Sequence, residues 1–481
     1  MSSQRNDDFS LAALPPLRPY QRAVARAVRD SVRAGDGRTF SVMVARQGGK
    51  NELSAQLEVS FLHSHANQDL DAVKCAPTFS PQVKLSLRRL WSRLHAARPL
   101  ISPALESGYI VRLGRARQVF LSAEPGANVA GHTCHTLLEV DEAQDVDPEK
   151  FDKDFRPMAS TTNATTVYYG TAWSETDLLA QVKARHLELE RQDGIRRHFE
   201  FDWRHVARFN PAYARFVEGE RLRLGEDHPL FQSQYCLRPL PGGGRLFSPA
   251  QLTLLEGAHE RERTPSRSSG VLGYVAGLDI GGEAFDGNRQ SAIGNRGGPD
   301  RTVLTIARVL TPDPHCPLPI AHCPIEVLDH VAWEGAPHTE LIGALARLLR
   351  DIWRVRRLVV DATGLGEGLA GSLAALRNGP EVVRLRLTEA RKSQLGYALL
   401  AAVNGGRLSL YRADGSPEAR LVREECARAR AIYRPNRTLA FAVDPADGHD
   451  DFLISLALTV EAAAGLVPRV ARGRLEDGAA W

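Results

Sequence analysis

TFSVMV followed by ARQGGKNE, residues 39–52, is the stretch on which the fold turns. The first part is apolar and rich in β-branched residues, the composition of a strand covered on both faces. Gly48 and Gly49 then break the run, and a helix reads onward from Asn51. A strand, a tight glycine turn and a helix aim backbone N–H groups at one spot, an arrangement that suits phosphate oxygens. The two glycines let the main chain approach closely, and Lys50 is placed to reach β- and γ-phosphates. The general spacing G-x-x-x-x-G-K-[ST] is not met, because Val44 stands at its first glycine and Asn51 at its hydroxyl. Alone, the stretch serves equally well as an ordinary strand–helix turn.

Working outward, residues 18–33 carry Tyr20, Ala23, Val24, Ala27, Val28 and Val32 at helical spacing, and Gly35 and Gly37 stop that helix. Apolar runs at 72–76, 119–122, 136–140 and 166–169 alternate with helical stretches. Such alternation predicts an α/β fold with a parallel sheet covered on both sides. The run Leu137 to Val140 ends in Asp141 and Glu142, adjacent carboxylates suited to a magnesium ion and to an attacking water. A strand leading into an acidic turn is common by itself, but following a phosphate loop at this distance it is not. Tyr20 and Gln21 lie where a base could be stacked and hydrogen-bonded; a plain helix start is the alternative.

The pattern fades near Pro239, and residues 240–270, with PGGG and a later Arg/Ser/Pro stretch, read as a linker. A second α/β pattern begins at Val271, with strands at 274–280, 302–309 and 358–360 and a glycine-rich loop over 281–298. Asp279 and Asp361 each end a strand, and Asp447, Asp450 and Asp451 precede the apolar helix 452–460. Each acid alone is more often a cap. Together they are expected to converge on two Mg²⁺ or Mn²⁺ ions held roughly 3.5–4 Å apart. His449 reads as a capping or solvent-facing residue in preference to an assisting one, and Lys392 as either a phosphate contact or a surface lysine.

The 481 residues suffice for about two to four domains. A hydrophobic share of 43% and a charged share of 25% are those of a globular chain. The start is polar, no apolar run is long enough for a bilayer, and a cytoplasmic protein with no membrane contact is expected. The net charge of +4 is too small to establish nucleic-acid binding. Arginines do cluster, at Arg88, Arg89 and Arg93, at Arg112, Arg115 and Arg117, and at Arg354, Arg356 and Arg357. The six cysteines are scattered without a C-x-x-C pair, which fits free thiols. His315, Cys316, His322 and Cys323 match no common zinc spacing, so a loop between strands is favoured there.

In combination, LRPYQ, ARQGGK, LLEVDEAQ and VYYGTAW resemble the large terminase subunits of tailed bacteriophages. The acids of the second half resemble the nuclease of that family. The resemblance implies a P-loop (RecA/ASCE-type) ATPase domain over 1–239, an RNase H-like nuclease over 271–467, and a tail at 468–481. It implies that Tyr20, Gln21, Arg46, Gln47, Gly48, Gly49, Lys50, Asn51, Asp141 and Thr171 bind ATP and Mg²⁺. Lys50, Glu142 and Arg46 would carry hydrolysis; Gly170, Thr171 and Ala172 would couple it to movement. Asp279, Asp361 and Asp451, with Asp450 as competitor, would hold nuclease Mg²⁺ or Mn²⁺. Implied partners are double-stranded DNA, a portal protein, a small terminase subunit and further copies in a ring, acting at the procapsid portal in the host cytoplasm. A second arginine across a subunit boundary would be Arg112, Arg115 or Arg117. One rival is a helicase or repair ATPase fused to a nuclease, which would need a second RecA-like lobe. The other is a binding or scaffold protein with inactive sites, against which intact Lys50, Glu142, Asp279 and Asp361 argue.

Overall fold

The TFSVMV run forms strand β1 (Thr39–Val44), buried along nearly its whole length. The remaining strands of its sheet are β2 (Asp71–Ala76), β3 (Ala104–Glu106), β4 (Ile110–Leu113), β5 (Ala116–Ser122), β6 (Leu137–Val140), β7 (Thr165–Gly170) and β8 (His198–Phe201). Their order is β3-β4-β5-β2-β6-β7-β1-β8. From β5 to β8 every pairing is parallel, while β3 and β4 extend the β5 edge antiparallel. This computed structural model describes residues 14–129, 131–266, 270–281, 301–311, 323–364, 366–434 and 436–466. The expected tail, the glycine-rich loop beyond Gly281, and His315, Cys316 and His322 lie outside them; Cys323 is a buried free thiol.

Because β1, β6 and β7 run parallel, their carboxyl ends share one edge of the sheet, the edge at which α/β folds place ligands. Helix α1 (Pro19–Ala34) is started by Pro19 and by the Arg18 N–H donating to Gln21 Oε1 at 2.8 Å. It ends at Gly35, whose φ of 62° suits a residue without Cβ. Helices α2 (Lys50–Ser64) and α3 (Lys84–Ala97) follow. One face of the sheet is sealed by a core that includes Val73, Val119, Leu138, Phe151 and Phe155.

The chain forms two compact units. One comprises Met1–Arg221, Pro229–Gly242 and Pro435–Arg437; the other comprises Leu222–His228, Gly243–Arg434 and Thr438–Trp481. The expected linker is thus mostly structured chain of the second unit. It supplies β9 (Gly243–Arg245) and the helix Pro249–Leu255, and it buries Leu246, Phe247 and Leu255 in that unit's core. Leu246 and Phe247 are the reason: two large apolar side chains following the glycines gain more by burial than a solvated linker would.

The second unit has a mixed sheet of β10 (Val271–Asp279), β11 (Arg301–Leu310), β12 (Ile325–Glu334), β13 (Arg357–Asp361), β14 (Glu381–Leu385) and β15 (Leu408–Ser409). The order is β14-β13-β10-β11-β12-β15, antiparallel at β10–β11–β12 and parallel elsewhere. Strands β16 (Arg430–Tyr433) and β17 (Leu439–Ala442) form a small sheet with β9. The helix Asp451–Ala464 packs directly on β10. A Cβ at Gly277 would lie 2.2 Å from Ser455 O and 2.5 Å from Thr459 N of that helix. Only glycine permits this approach, so Gly277→Ala should destabilise the protein by about 1–3 kcal/mol. Urea unfolding of the variant would show it; an unchanged midpoint would mean that helix and strand have room to spare.

Candidate functional site

The turn after β1 is held from three sides. Tyr20 Oη donates to Gly48 O at 2.5 Å, and Gln21 Nε2 donates to Gly49 O at 2.8 Å. The Arg46 N–H donates to Gln234 O at 2.8 Å and its guanidinium to Gln234 Oε1 at 2.6 Å, while Tyr213 Oη donates to Arg46 O. Gln47 and Gly49 adopt positive φ, 62° and 94°. A Cβ at Gly48 would meet Val44 Cγ1 at 2.6 Å. Such a loop is pre-shaped, with its backbone N–H groups at the start of α2.

Facing it, Lys50 Nζ lies 2.5 Å from Glu142 Oε1 and 3.5 Å from Asp141 Oδ1. The ammonium is buried, and burial by itself favours the neutral amine. Glu142 and Asp141 outweigh that and hold the group above its usual value. Burial likewise raises Asp141 and Glu142, but Lys50 more than offsets it and both carboxyls sit below the usual range. Asp141 also accepts from the Glu142 N–H and from Ser86 Oγ. Behind them Lys74 binds Glu58 and Ser54, and Ser54 donates to Glu139; burial pushes the Glu139 carboxyl up to about 8. Arg46, Gln47, Gly48, Gly49, Lys50, Asn51, Glu142 and Thr171 line one cavity of about 440 Å³. A phosphate chain fits this site: a glycine turn with no room for a Cβ at Gly48 or Gly49, the buried Lys50 ammonium, and Glu142 in the wall with Asp141 within 3.5 Å of Lys50. Asp141 and Asn51, both beside Lys50, supply oxygen donors suited to Mg²⁺.

Sequence reasoning misses several residues here. Gln82 also lines the cavity, as does Arg89, named above only in an arginine cluster, and Arg437, which belongs to this unit, lies 2.7 Å from Asp145 and 3.6 Å from Glu142. Gln234 and Arg437 are too far along the chain for any local signal. Gln144, inside the quoted DEAQ, carries no expectation from the sequence, although its amide touches Glu142. Among Arg112, Arg115 and Arg117, Arg117 is bound to Asp71 and Arg112 to Glu106, leaving Arg115 the most exposed.

In the second unit β10 and β13 pair in parallel with Leu278 opposite Val360, so Asp279 and Asp361 end neighbouring strands at the same edge. Asp451 opens its helix at that edge, where its carboxylate accepts from the Arg301 N–H at 3.2 Å. Asp451 is buried, whereas Asp450 is half-exposed and lies 3.4 Å from Lys392. Lys392 is therefore tied to an acid and rests over Phe441. Glu425, also missed, is buried beside them and accepts from the Leu453 N–H. Burial, with Asp451 and Asp450 nearby, pushes its carboxyl up to about 8. The donor set is all oxygen, as a hard divalent cation requires. Among the described residues, however, no three His, Cys, Asp or Glu side chains are close enough to hold a metal as they stand. The expected two-ion cluster is thus gathered at one edge but not closed.

Tyr20 and Gln21, read from the sequence as an adenine contact, also brace the turn after β1 with their polar atoms. Gln21 uses both ends of its amide, on Arg18 and Gly49. Gln21→Ala should therefore weaken ATP and GTP together, leaving their affinity ratio within about 3-fold of the parent. Fluorescence titration of both nucleotides checks this, and a selective loss of ATP would instead place Gln21 at the adenine.

No protein-family model and no curated protein matches the sequence. Solved structures do. The large terminase from a thermophilic bacteriophage (crystal form 2) aligns over 93% of this chain and 99% of its own, with TM-score 0.52 and 12% identity. The same protein in complex with ADP aligns over 92% and 99%, with TM-score 0.50 and 12% identity. The HK97 bacteriophage large terminase aligns over 95% of this chain and 98% of its own at 14% identity, with TM-score 0.41. Both sheets, in this order along one chain, give the protein the fold of the large terminases of bacteriophages.

Proposed function

We propose that this chain hydrolyses ATP at the edge of its first sheet to move double-stranded DNA, and cuts DNA at the edge of its second. The observation that carries the reading is the buried Lys50 between Asp141 and Glu142, at the mouth of a rigid glycine loop. A lysine drawn onto β- and γ-phosphates would leave Glu142, and the freed carboxylate could then orient and deprotonate the attacking water. Arg46, anchored on Gln234, is placed to offset charge on the transferred phosphoryl group. Asp141 and Asn51 would hold a Mg²⁺ ion that neutralises phosphate charge. At the second site Asp279, Asp361 and Asp451 would hold Mg²⁺ or Mn²⁺, which activates water and stabilises the leaving oxygen.

The thermophilic phage terminase of the same fold was solved in complex with ADP, which supports the nucleotide assignment. A portal protein, a small terminase subunit and a ring of copies at the procapsid are the partners this reading carries. The helicase rival is disfavoured by the second sheet, whose antiparallel centre is unlike a RecA lobe.

Two variants separate the chemistries. Lys50→Ala should lower ATP turnover by at least about 100-fold and leave Mn²⁺-dependent plasmid cleavage in place. Asp361→Asn should do the reverse. A folded parent protein lacking both activities, or one variant losing both while its melting curve is unchanged, would contradict the proposal.

A further inference from the structure

Gln144 is a side chain that touches both the hydrolytic carboxylate and the end of β7. Its Nε2 donates to Glu142 Oε2 at 2.7 Å and to Asp145 Oδ2 at 3.2 Å. Its Oε1 accepts from the Thr171 N–H at 3.2 Å. The residue is 3% exposed, so solvent does not offer these atoms other partners. The fit is close on the β7 side: a Cβ at Gly170 would lie 2.0 Å from Gln144 Oε1. Glu142 is itself constrained, at a φ of 48° that non-glycine residues seldom adopt.

The chemistry at the two ends selects an amide. A carboxylate needs a donor and a backbone N–H needs an acceptor, and among side chains of this length only glutamine offers both. Lys50 occupies one oxygen of Glu142 and Gln144 the other. The position of that carboxylate and of the Gly170–Thr171 peptide are thus linked through one rigid planar group.

We infer that Gln144 is a positioning residue that ties Glu142 to the Gly170–Thr171 peptide, so that a shift of the carboxylate on nucleotide binding is carried to the end of β7. The inference rests on the ATPase reading above and names the physical connection within it. Movement of Glu142 away from Lys50 pulls the Gln144 amide, and the amide moves the N–H of Thr171, a residue of the nucleotide cavity wall. The coupling acts in both directions, since displacement at Thr171 misplaces Glu142.

The test uses the full-length chain, steady-state ATP turnover and thermal melting. Gln144→Met keeps the size and removes both hydrogen bonds. It should lower kcat by roughly 100-fold with KM little changed, because misplacing a reacting group costs that much while ground-state binding persists. Gln144→Glu keeps an acceptor for Thr171 but sets a carboxylate against Glu142, and should be as poor. Gly170→Ala pushes on Oε1 without touching Glu142, and should also lower kcat. Adding Gly170→Ala to Gln144→Ala, which removes the nearer colliding atom and leaves the Leu179 Cδ2 methyl at 2.6 Å, the end of a flexible side chain, should cost little more. Normal kcat in Gln144→Met, or losses that multiply independently in the double variant, overturns the inference. If the parent protein hydrolyses no ATP, or Lys50→Ala hydrolyses it normally, the ATPase reading fails and this inference falls with it. A folded, ATP-binding Gln144→Met with low kcat and non-additive pairing upholds both.

Discussion

A lysine ammonium sunk between two carboxylates organises the first unit. Lys50 is almost fully buried, and so is Asp141. Removing one partner from such a cluster costs about 3–5 kcal/mol because a charge is left buried and uncompensated. The sheet therefore has to deliver the loop after β1 and the acids after β6 to the same edge, which the parallel order β6-β7-β1 accomplishes. The supporting contacts point the same way. Tyr20 and Gln21 of α1 hold the loop carbonyls, Gln234 holds Arg46, and Lys74 with Glu58 and Glu139 fills the floor. What results is a buried cation held between acids at the mouth of the glycine turn.

The second unit solves a different problem with the same device of strand ends. Gly277 lets the helix Asp451–Ala464 lie against β10, and that approach sets Asp451 beside the edge where Asp279 and Asp361 emerge. Like-charged groups gathered there repel, and burial, with Asp451 and Asp450 nearby, holds the Glu425 carboxyl above its usual range. A divalent cation would relieve the repulsion, which is the physical reason an all-oxygen acidic edge suits metal-dependent cleavage.

Much of this was legible in the sequence, for reasons that the residues make plain. β1, β2, β6 and β7 are short, mostly apolar runs, β6 running into an acid and β7 ending in glycine, and such runs announce buried parallel strands. Asp141, Glu142, Asp279 and Asp361 stand at strand ends and Lys50 at the helix start after the glycine turn, where period and punctuation both speak. The antiparallel edge of β3 and β4 was not legible, since β3 is three residues long and half-exposed. The 240–270 stretch reads as linker because its glycines and prolines outweigh Leu246 and Phe247, whose burial depends on partners far along the chain. That Tyr20 and Gln21 bind a loop 28 residues on was not legible either, because a helix start shows no sign of such a contact. Gln234 reaches Arg46 across 188 residues, and no local pattern encodes such a contact.

If Lys50 is held in reserve by Glu142, then neutralising that acid frees the lysine for phosphate while removing the group that activates water. The most direct measurement is ATP affinity and single-turnover hydrolysis of Glu142→Gln. The account predicts binding at least as tight as in the parent protein, with hydrolysis slowed by roughly 100-fold or more. Hydrolysis at the parent rate, or loss of binding in a folded variant, would contradict it.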